Sequence, residues 1–311
     1  MFEKNARIAV AVSGGPDSMA LLHLMYTATK NIVALTVDHG LRKESMAEAK
    51  TIAAWCQKHK ITHHILKWRG EKPKTAVHEA ARTARYDLLQ NWCRKNKILH
   101  LATAHHADDN AETILQRIAK ASGTQGLAGM QEHTFLPHLH IWRPLLLNYK
   151  SELVAYCAQY KIPFAQDASN DNPKFARGRL RGAADVLSAE GLTTKNLNLL
   201  AQKQFLAAQA IENQAAEFLA NYARLVPKTE SVFTLKPWQS LPDATAQHVL
   251  DYVLKLTSGA YAPIRSESLG NLRAMLAGND FRAKTLGHCR IHIKKTKSDA
   301  RVIITPEAAR G

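Results

Sequence analysis

At 311 residues, 46% of them hydrophobic, the chain is long enough to bury two cores. Lys and Arg outnumber Asp and Glu 42 to 26, and the resulting charge of +16 favours a polyanionic partner over a small neutral one. No apolar run nears the roughly 20 residues that span a bilayer, no signal peptide or basic amphipathic anchor is legible, and Cys56, Cys93, Cys157 and Cys289 lie too far apart for C-x-x-C or zinc-ribbon chemistry, which suits buried thiols in the cytoplasm.

In chain order, apolar runs at 7–12, 32–37, 62–68 and 98–103 predict strands, and 18–29, 43–59, 75–96 and 107–121 carry helical spacing. Such alternation predicts an α/β fold, a Rossmann-like parallel sheet with helices on both faces. A glycine-rich break follows at 123–129, then an ordered turn at 142–146 and a helix at 148–161 stopped before Pro163. The polar stretch 167–173 caps a helix carrying Arg177, Arg179 and Arg181. From about Thr194 the texture changes to one long helix over 197–224, further helices over 245–256 and 266–277, and a short β element within 281–305. The expected division is a first domain over 1–195 and a smaller, mainly helical one over 196–311, without internal repeats.

Between the first strand and helix stands Ser13-Gly14-Gly15-Pro16-Asp17-Ser18. Side chains at the glycines would block close approach of an anion, and glycine permits φ > 0. The helix start aims unpaired N–H groups and its positive dipole end at one point, and Ser13 and Ser18 add hydroxyl donors. Asp17 would repel a bare phosphate, so the loop reads as a pyrophosphate cradle with a divalent cation at Asp17. No Gly-Lys dipeptide occurs for a Walker loop, and G-x-G-x-x-G is absent at this strand.

Other candidates follow at later strand ends. Asp38 closes the second strand, either as a ligand to Mg²⁺ or as a turn carboxylate. Asp109 and Glu112, three apart on one helix face, could hold an ammonium group or merely complement the dipole. Before them, His105 is read as a contact to nucleotide or base; a metal site at His105 and His106 lacks a third ligand. Arg82 and Arg85 reach for phosphate or leaving-group charge, or form a solvated face. Lys174, Arg177, Arg179 and Arg181, and the cluster Lys294, Lys295 and Lys297, are phosphate-binding candidates or plain surface charge. A parallel sheet would bring the loops after the first, second and fourth strands to one rim.

In their order, these motifs resemble the tRNA(Ile)-lysidine synthase family of N-type ATP pyrophosphatases, whose fold is adenine nucleotide alpha hydrolase-like. The likeness rests on 13–18, on Val37 to Arg42, on Ala81 to Tyr86, on Ala102 to Thr113, and on Gly126 to Met130. It continues through Arg143-Pro144-Leu145-Leu146, Asp167-Ala168-Ser169-Asn170 and Arg179-Leu180-Arg181. The resemblance implies that ATP, with Mg²⁺ at Asp17 and Asp38, adenylates the wobble cytidine of tRNA(Ile) with anticodon CAU. Free L-lysine, held by Asp109 and Glu112, then displaces AMP from carbon 2 of the base. The product, lysidine, shifts reading from AUG to AUA. Asp38, Arg82 and Arg85 are implied at the reacting groups, and Lys120, Arg177, Arg179 and Arg181 on the tRNA. Homodimerisation is common in the family, and no interface is legible in the sequence. Three departures stand out: Lys120-Ala121 where Arg-Gly is usual, Gly178 where asparagine is usual, and no evident full-length additional C-terminal domain. The nearest rivals are a tRNA thiolase of the same fold, which generally needs paired cysteines or a metal cluster, an amide ligase, and a non-catalytic RNA-binding protein.

Overall fold

The run Ile8-Ala9-Val10-Ala11 is apolar at every position, as a strand covered on both faces must be. In the computed structural model it forms β1 (Ile8–Ala11) at the centre of a six-stranded sheet. The structure describes residues 6–40, 45–70, 72–73, 77–165, 176–260, 262–278, 281–295 and 299–307. They fall into two compact units: Met1–Ser122 with Gly126–Gln202, and Gly123–Gln125 with Lys203–Gly311.

In the first unit, α1 (Pro16–Ala28), β2 (Ile32–Asp38), α2 (Ser45–Lys58), β3 (Thr62–Lys67), α3 (Val77–Lys95), β4 (His100–Ala102) and α4 (Ala107–Ile118) follow the expected alternation. After the short α5 (Thr124–Leu127) come β5 (His133–Leu136), β6 (Leu139–Trp142), α6 (Lys150–Gln159), α7 (Ala176–Gly182) and α8 (Ala184–Ala189). The strand order is β3-β2-β1-β4-β6-β5, with every pairing parallel except that of β5 with β6. Alternate residues of β1 take opposite sides. Ile8 and Val10 pack with Leu22, Ile52, Trp55 and Leu153 of α1, α2 and α6. Ala9 packs with Leu89 and Cys93 of α3. The expected parallel sheet with helices on both faces is borne out.

The β5–β6 hairpin was not expected. Four-residue strands carry too little pattern, and here only Leu139 and Ile141 of β6 are buried. Arg143, itself buried, holds it: Nη1 donates to the Gln131 carbonyl at 2.7 Å and to Thr134 Oγ1 at 2.8 Å. Because β1, β2 and β3 run to one side and β4 to the other, the chain reverses direction in the sheet between β1 and β4. Open α/β sheets bind ligands at such a point, beyond the carboxyl ends of the strands.

The unit division falls inside α9 (Thr194–Tyr222). Beyond it lie β7 (Ala223–Val226), β8 (Glu230–Thr234), α10 (Leu235–Gln239), α11 (Asp243–Ser258), α12 (Ser266–Ala277), β9 (Lys284–Leu286), β10 (Cys289–Lys295) and β11 (Ala300–Pro306). Sequence reasoning anticipated the closing strands but not β7 and β8. All five make one antiparallel sheet, β7-β8-β11-β10-β9, so this unit is less purely helical than expected. The reason is distance along the chain: Phe233 of β8 pairs opposite Val302 of β11, and no local window contains that hydrogen bonding. Phe233, Trp238, Leu250, Leu254, Ile291 and Ile304 form its core.

The C-terminus of α4 holds one of the sequence departures. Ser122 N–H donates to the Arg117 carbonyl at 2.9 Å and Ala121 N–H to that of Ile118 at 2.9 Å, a Schellman-type ending. Its turning residue, Ala121, sits at φ 49°. A β-carbon in that left-handed region costs roughly 1–2 kcal/mol. Ala121→Gly is therefore expected to stabilise the protein by about 1 kcal/mol, read as a higher urea midpoint at unchanged slope. An unchanged or lower midpoint would contradict the assigned turn.

Candidate active site at the carboxyl ends of the strands

The 13–18 loop leaves β1 with Val12 N–H bonded to the Leu35 carbonyl at 2.8 Å. Gly14 has φ 96°, a conformation side chains resist. Gly15 at the N-cap has no side chain to cap α1, and Pro16 occupies its first turn without an N–H. The Ser18 hydroxyl is turned into the loop: it accepts from Ser13 N–H and Gly14 N–H, each at 3.1 Å, and donates to the Gly15 carbonyl at 3.0 Å. The Ser13 hydroxyl lies 3.2 Å from it. Ser18 thus shapes the loop here rather than projecting a free donor. From beneath, Ala165 N–H donates to the Gly14 carbonyl at 2.9 Å, and the Cys157 thiol to that of Pro16 at 3.4 Å.

At the start of α4, His106 is 2% exposed and faces three carboxylates. Its Nε2 lies 3.6 Å from Asp17 Oδ2 and 3.4 Å from Asp109 Oδ2, and its Nδ1 lies 3.5 Å from Asp108 Oδ2. Burial alone would expel the proton. The close carboxylates of Asp108 and Asp17, with the added charge of Asp109, outweigh it and raise His106 to about 9. The Asp109 N–H also approaches Nδ1 at 3.4 Å. That contact would need an unprotonated nitrogen, but it is long for a hydrogen bond, and three anions favour the doubly protonated ring. The adjacent His106 holds Asp108 well below the usual carboxylate range, against burial and with help from Lys150 N–H and the Thr194 hydroxyl, both at 2.9 Å.

Asp17 Oδ1 is buried and has no hydrogen-bond partner among the described residues. An orphaned carboxylate oxygen beside a phosphate-type loop fits a Mg²⁺ ion, which is commonly held by one or two carboxylates plus substrate phosphate and water. Asp38 stands at the end of β2, where its Oδ1 accepts from Gly40 N–H at 2.9 Å. Among the described residues, no group of three His, Cys, Asp or Glu side chains is arranged to hold a metal by itself. The neighbouring His39 is pushed down to about 4, by burial first and then by Arg85. Arg85 reaches that end of β2 from α3, its Nε 3.4 Å from His39 Nε2, while Arg82 lies over the Tyr86 ring at 5.4 Å; both arginines are exposed.

Asp109 and Glu112 share α4 but take different partners. Asp109 faces His106, whereas the buried Glu112 accepts at Oε1 from Arg181 Nε at 2.6 Å. Arg181, expected on nucleic acid, is thus drawn inward in this structure. Arg179 is exposed, and the Arg177 side chain lies outside the described residues, as do Leu41, Arg42, 167–173, Lys174 and Lys297. Lys294 and Lys295 are exposed on β10. Lys120 is exposed past the far end of α4, about 16 Å along the helix direction from Asp109. His105 Nδ1 lies 3.0 Å from Thr103 Oγ1.

Sequence reasoning missed the role of Asp108, and that of Asn110. The buried Asn110 donates to Asn198 Oδ1 at 2.8 Å and accepts from Met130 N–H at 2.7 Å. Gly129 (φ 71°) must lack a side chain there, since a β-carbon would fall 2.7 Å from Asn110 Oδ1. Partners 88 residues apart leave no local signal.

A family profile described as "PP-loop domain" matches residues 2–185. The chain is 39% identical to the tRNA(Ile)-lysidine synthase of Methylobacterium sp. (strain 4-46), over 97% of this chain and 90% of that one. It is 37% identical to the same enzyme of Methylobacterium nodulans, over 97% and 91%, and 32% identical to that of Wolbachia pipientis wMel, over 98% and 72%. Among solved structures, a U34-tRNA thiolase from Methanococcus maripaludis shares the fold, with TM-score 0.55 and 16% identity over 65% of this chain and 73% of that one.

The proton on His106 makes stability depend on pH. An imidazolium favoured by folding stabilises fully below about pH 6.5, the unfolded value, and that contribution is lost as pH rises through about 9. The raised pKa corresponds to a contribution on the order of 3 kcal/mol. His106→Gln keeps a polar side chain without the charge. Urea unfolding of both proteins from about pH 6 to about pH 10 is expected to show the advantage of the native histidine shrinking with pH. An advantage independent of pH would mean the buried ring is neutral.

Proposed function

The chain belongs to the tRNA(Ile)-lysidine synthase family, and from that premise we propose that it joins free L-lysine to carbon 2 of the wobble cytidine in tRNA(Ile) bearing anticodon CAU, through an adenylated tRNA. ATP is the substrate expected of a PP-loop enzyme. The observation that carries the reading is the His106 junction. One imidazole touches both Asp17 of the phosphate cradle and Asp109, the carboxylate proposed for lysine. That contact supports a reading in which pyrophosphate departure and amine attack share one site.

In the first step the cytidine O2 attacks the α-phosphorus of ATP, the α–β bond breaks and pyrophosphate leaves. Ser13, Gly14 and Gly15 line its cradle, while Pro16 and Ser18 fix the loop's shape. Mg²⁺, for which Asp17 and Asp38 are the assigned carboxylates, would neutralise phosphate charge when bound. Arg82 and Arg85 supply further positive charge to the leaving group. In the second step the lysine ε-amine attacks carbon 2, the bond from carbon 2 to the adenylated oxygen breaks, and AMP leaves. Asp109 and Glu112 hold the ammonium, and a carboxylate there can take the proton the amine must lose. Lys120, Arg177, Arg179 and Arg181 are assigned to tRNA phosphates, which set affinity and register. Exchange of cytidine for lysidine would change codon reading from AUG to AUA. Homodimerisation and a cytoplasmic setting accompany this reading by resemblance.

The thiolase alternative is weaker. Burial pushes Cys56, Cys157 and Cys289 up to about 11 and Cys93 to about 12, so all four are protonated thiols inside the protein, unsuited to carrying sulfur.

The test supplies ATP, Mg²⁺, labelled lysine and two transcripts, the CAU tRNA(Ile) and tRNA(Met). Label is expected in the first alone, with the mass of lysidine after nuclease digestion. Pyrophosphate release without lysine transfer would overturn the assignment. Asp109→Asn is expected to lower kcat/KM for lysine about tenfold or more, the scale of one charge-assisted contact, while pyrophosphate release on tRNA alone falls less. Equal losses would remove Asp109 from the lysine pocket. Arg179→Ala is expected to reduce the salt slope of tRNA binding by about 1, and an unchanged slope would take Arg179 off the docking surface.

A further inference from the structure

Two residues assigned to different substrates are bonded to each other. Glu112, proposed for the lysine ammonium, is 8% exposed, and its Oε1 accepts from Arg181 Nε at 2.6 Å. Arg181, proposed for tRNA phosphate, keeps about a quarter of its side chain exposed on α7, and Arg179 beside it faces solvent. A buried carboxylate needs a cation, and here the guanidinium provides it. Lysine's ammonium would arrive at a carboxylate already neutralised, with a second positive charge against it. Arginine, by its planar fork, binds phosphate as well as carboxylate. A polyanion docking on α7 therefore gives Arg181 another partner.

We propose that Arg181 makes lysine entry conditional on tRNA. In the tRNA-free protein it occupies Glu112, and tRNA phosphate draws it off, exposing the carboxylate to the incoming ammonium. This inference rests on the lysine–tRNA ligase reading. It assigns Arg181 a positioning role that acts through Glu112, beyond simple tRNA affinity. Coupling of this kind is reciprocal, so lysine must tighten tRNA binding by the same factor.

Calorimetric titration of lysine into the full chain, with and without the CAU tRNA(Ile) transcript and without ATP, tests it. Lysine is expected to bind the native protein about tenfold or more tightly once tRNA is present, within the usual range of coupling between sites. Arg181→Gln is expected to bind lysine about tenfold more tightly than the native protein in the absence of tRNA, with little further gain when tRNA is added. Arg181→Lys, which keeps the charge, should retain most of the block. Unchanged or weaker tRNA-free lysine binding by an Arg181→Gln protein that melts like the native one would overturn the proposal. Should that variant not fold, the native protein decides alone: equal lysine affinity with and without tRNA overturns it. Lysine incorporation by the native enzyme separates the two levels. If no label reaches tRNA, the ligase reading fails and this inference with it. If label is transferred but lysine affinity ignores both tRNA and Arg181, only the competition fails.

Discussion

A charged imidazole can be kept inside a protein only if anions surround it, and His106 is surrounded by Asp17, Asp108 and Asp109. Those carboxylates stand at the starts of α1 and α4, where the positive dipole ends favour negative charge. Asp108 extends the junction to two more helix starts, accepting from Lys150 N–H of α6 and from the Thr194 hydroxyl of α9. Four helix starts thus share one small set of charges. Removing the imidazolium would leave carboxylates facing one another at the point where the phosphate loop is anchored.

That junction exists because of the sheet. β1 and β4 are parallel neighbours whose following helices start side by side, although about ninety residues of chain separate them. The arrangement places the cradle after β1 and the acidic turn after β4 within reach of one side chain. The bonds that hold the site are largely short and local to it: Ser18 closes its own loop, and Asn110 ties α4 both to the glycine-bearing turn at Gly129 and to Asn198. Rigidity of this kind suits the proposed reaction, in which two successive attacks are aimed from one site.

Charge at the site is arranged so that each buried ion has a counter-ion of another assigned role. His106 offsets part of the charge of Asp17, Asp108 and Asp109, and Arg181 pairs with Glu112. Unpaired, these groups would be costly to bury; paired, they are stable yet available to a ligand that offers a better partner. Binding of phosphate, cation and ammonium groups then exchanges partners instead of creating new buried charge, which connects the stability of the resting protein to the chemistry proposed for it.

Local sequence was enough for the alternating strands and helices of the first unit, because apolar period and turn residues act over a few positions. It was also enough for the phosphate loop, since glycine at φ 96° and an uncapped helix start are local demands. Spacing put Asp109 and Glu112 on one helix, and the scattered cysteines already argued against sulfur chemistry. What the tertiary structure decided was pairing. It turned the Ser18 hydroxyl inward, made the unremarked Asp108 an anchor and set Arg181 against Glu112. It also joined β8 to β11 and formed the β5–β6 hairpin. The physical reason is range: periodicity and turn chemistry are written within a few residues, whereas the partner of a buried charge or of a strand edge is whatever the folded chain brings within about 3 Å of it.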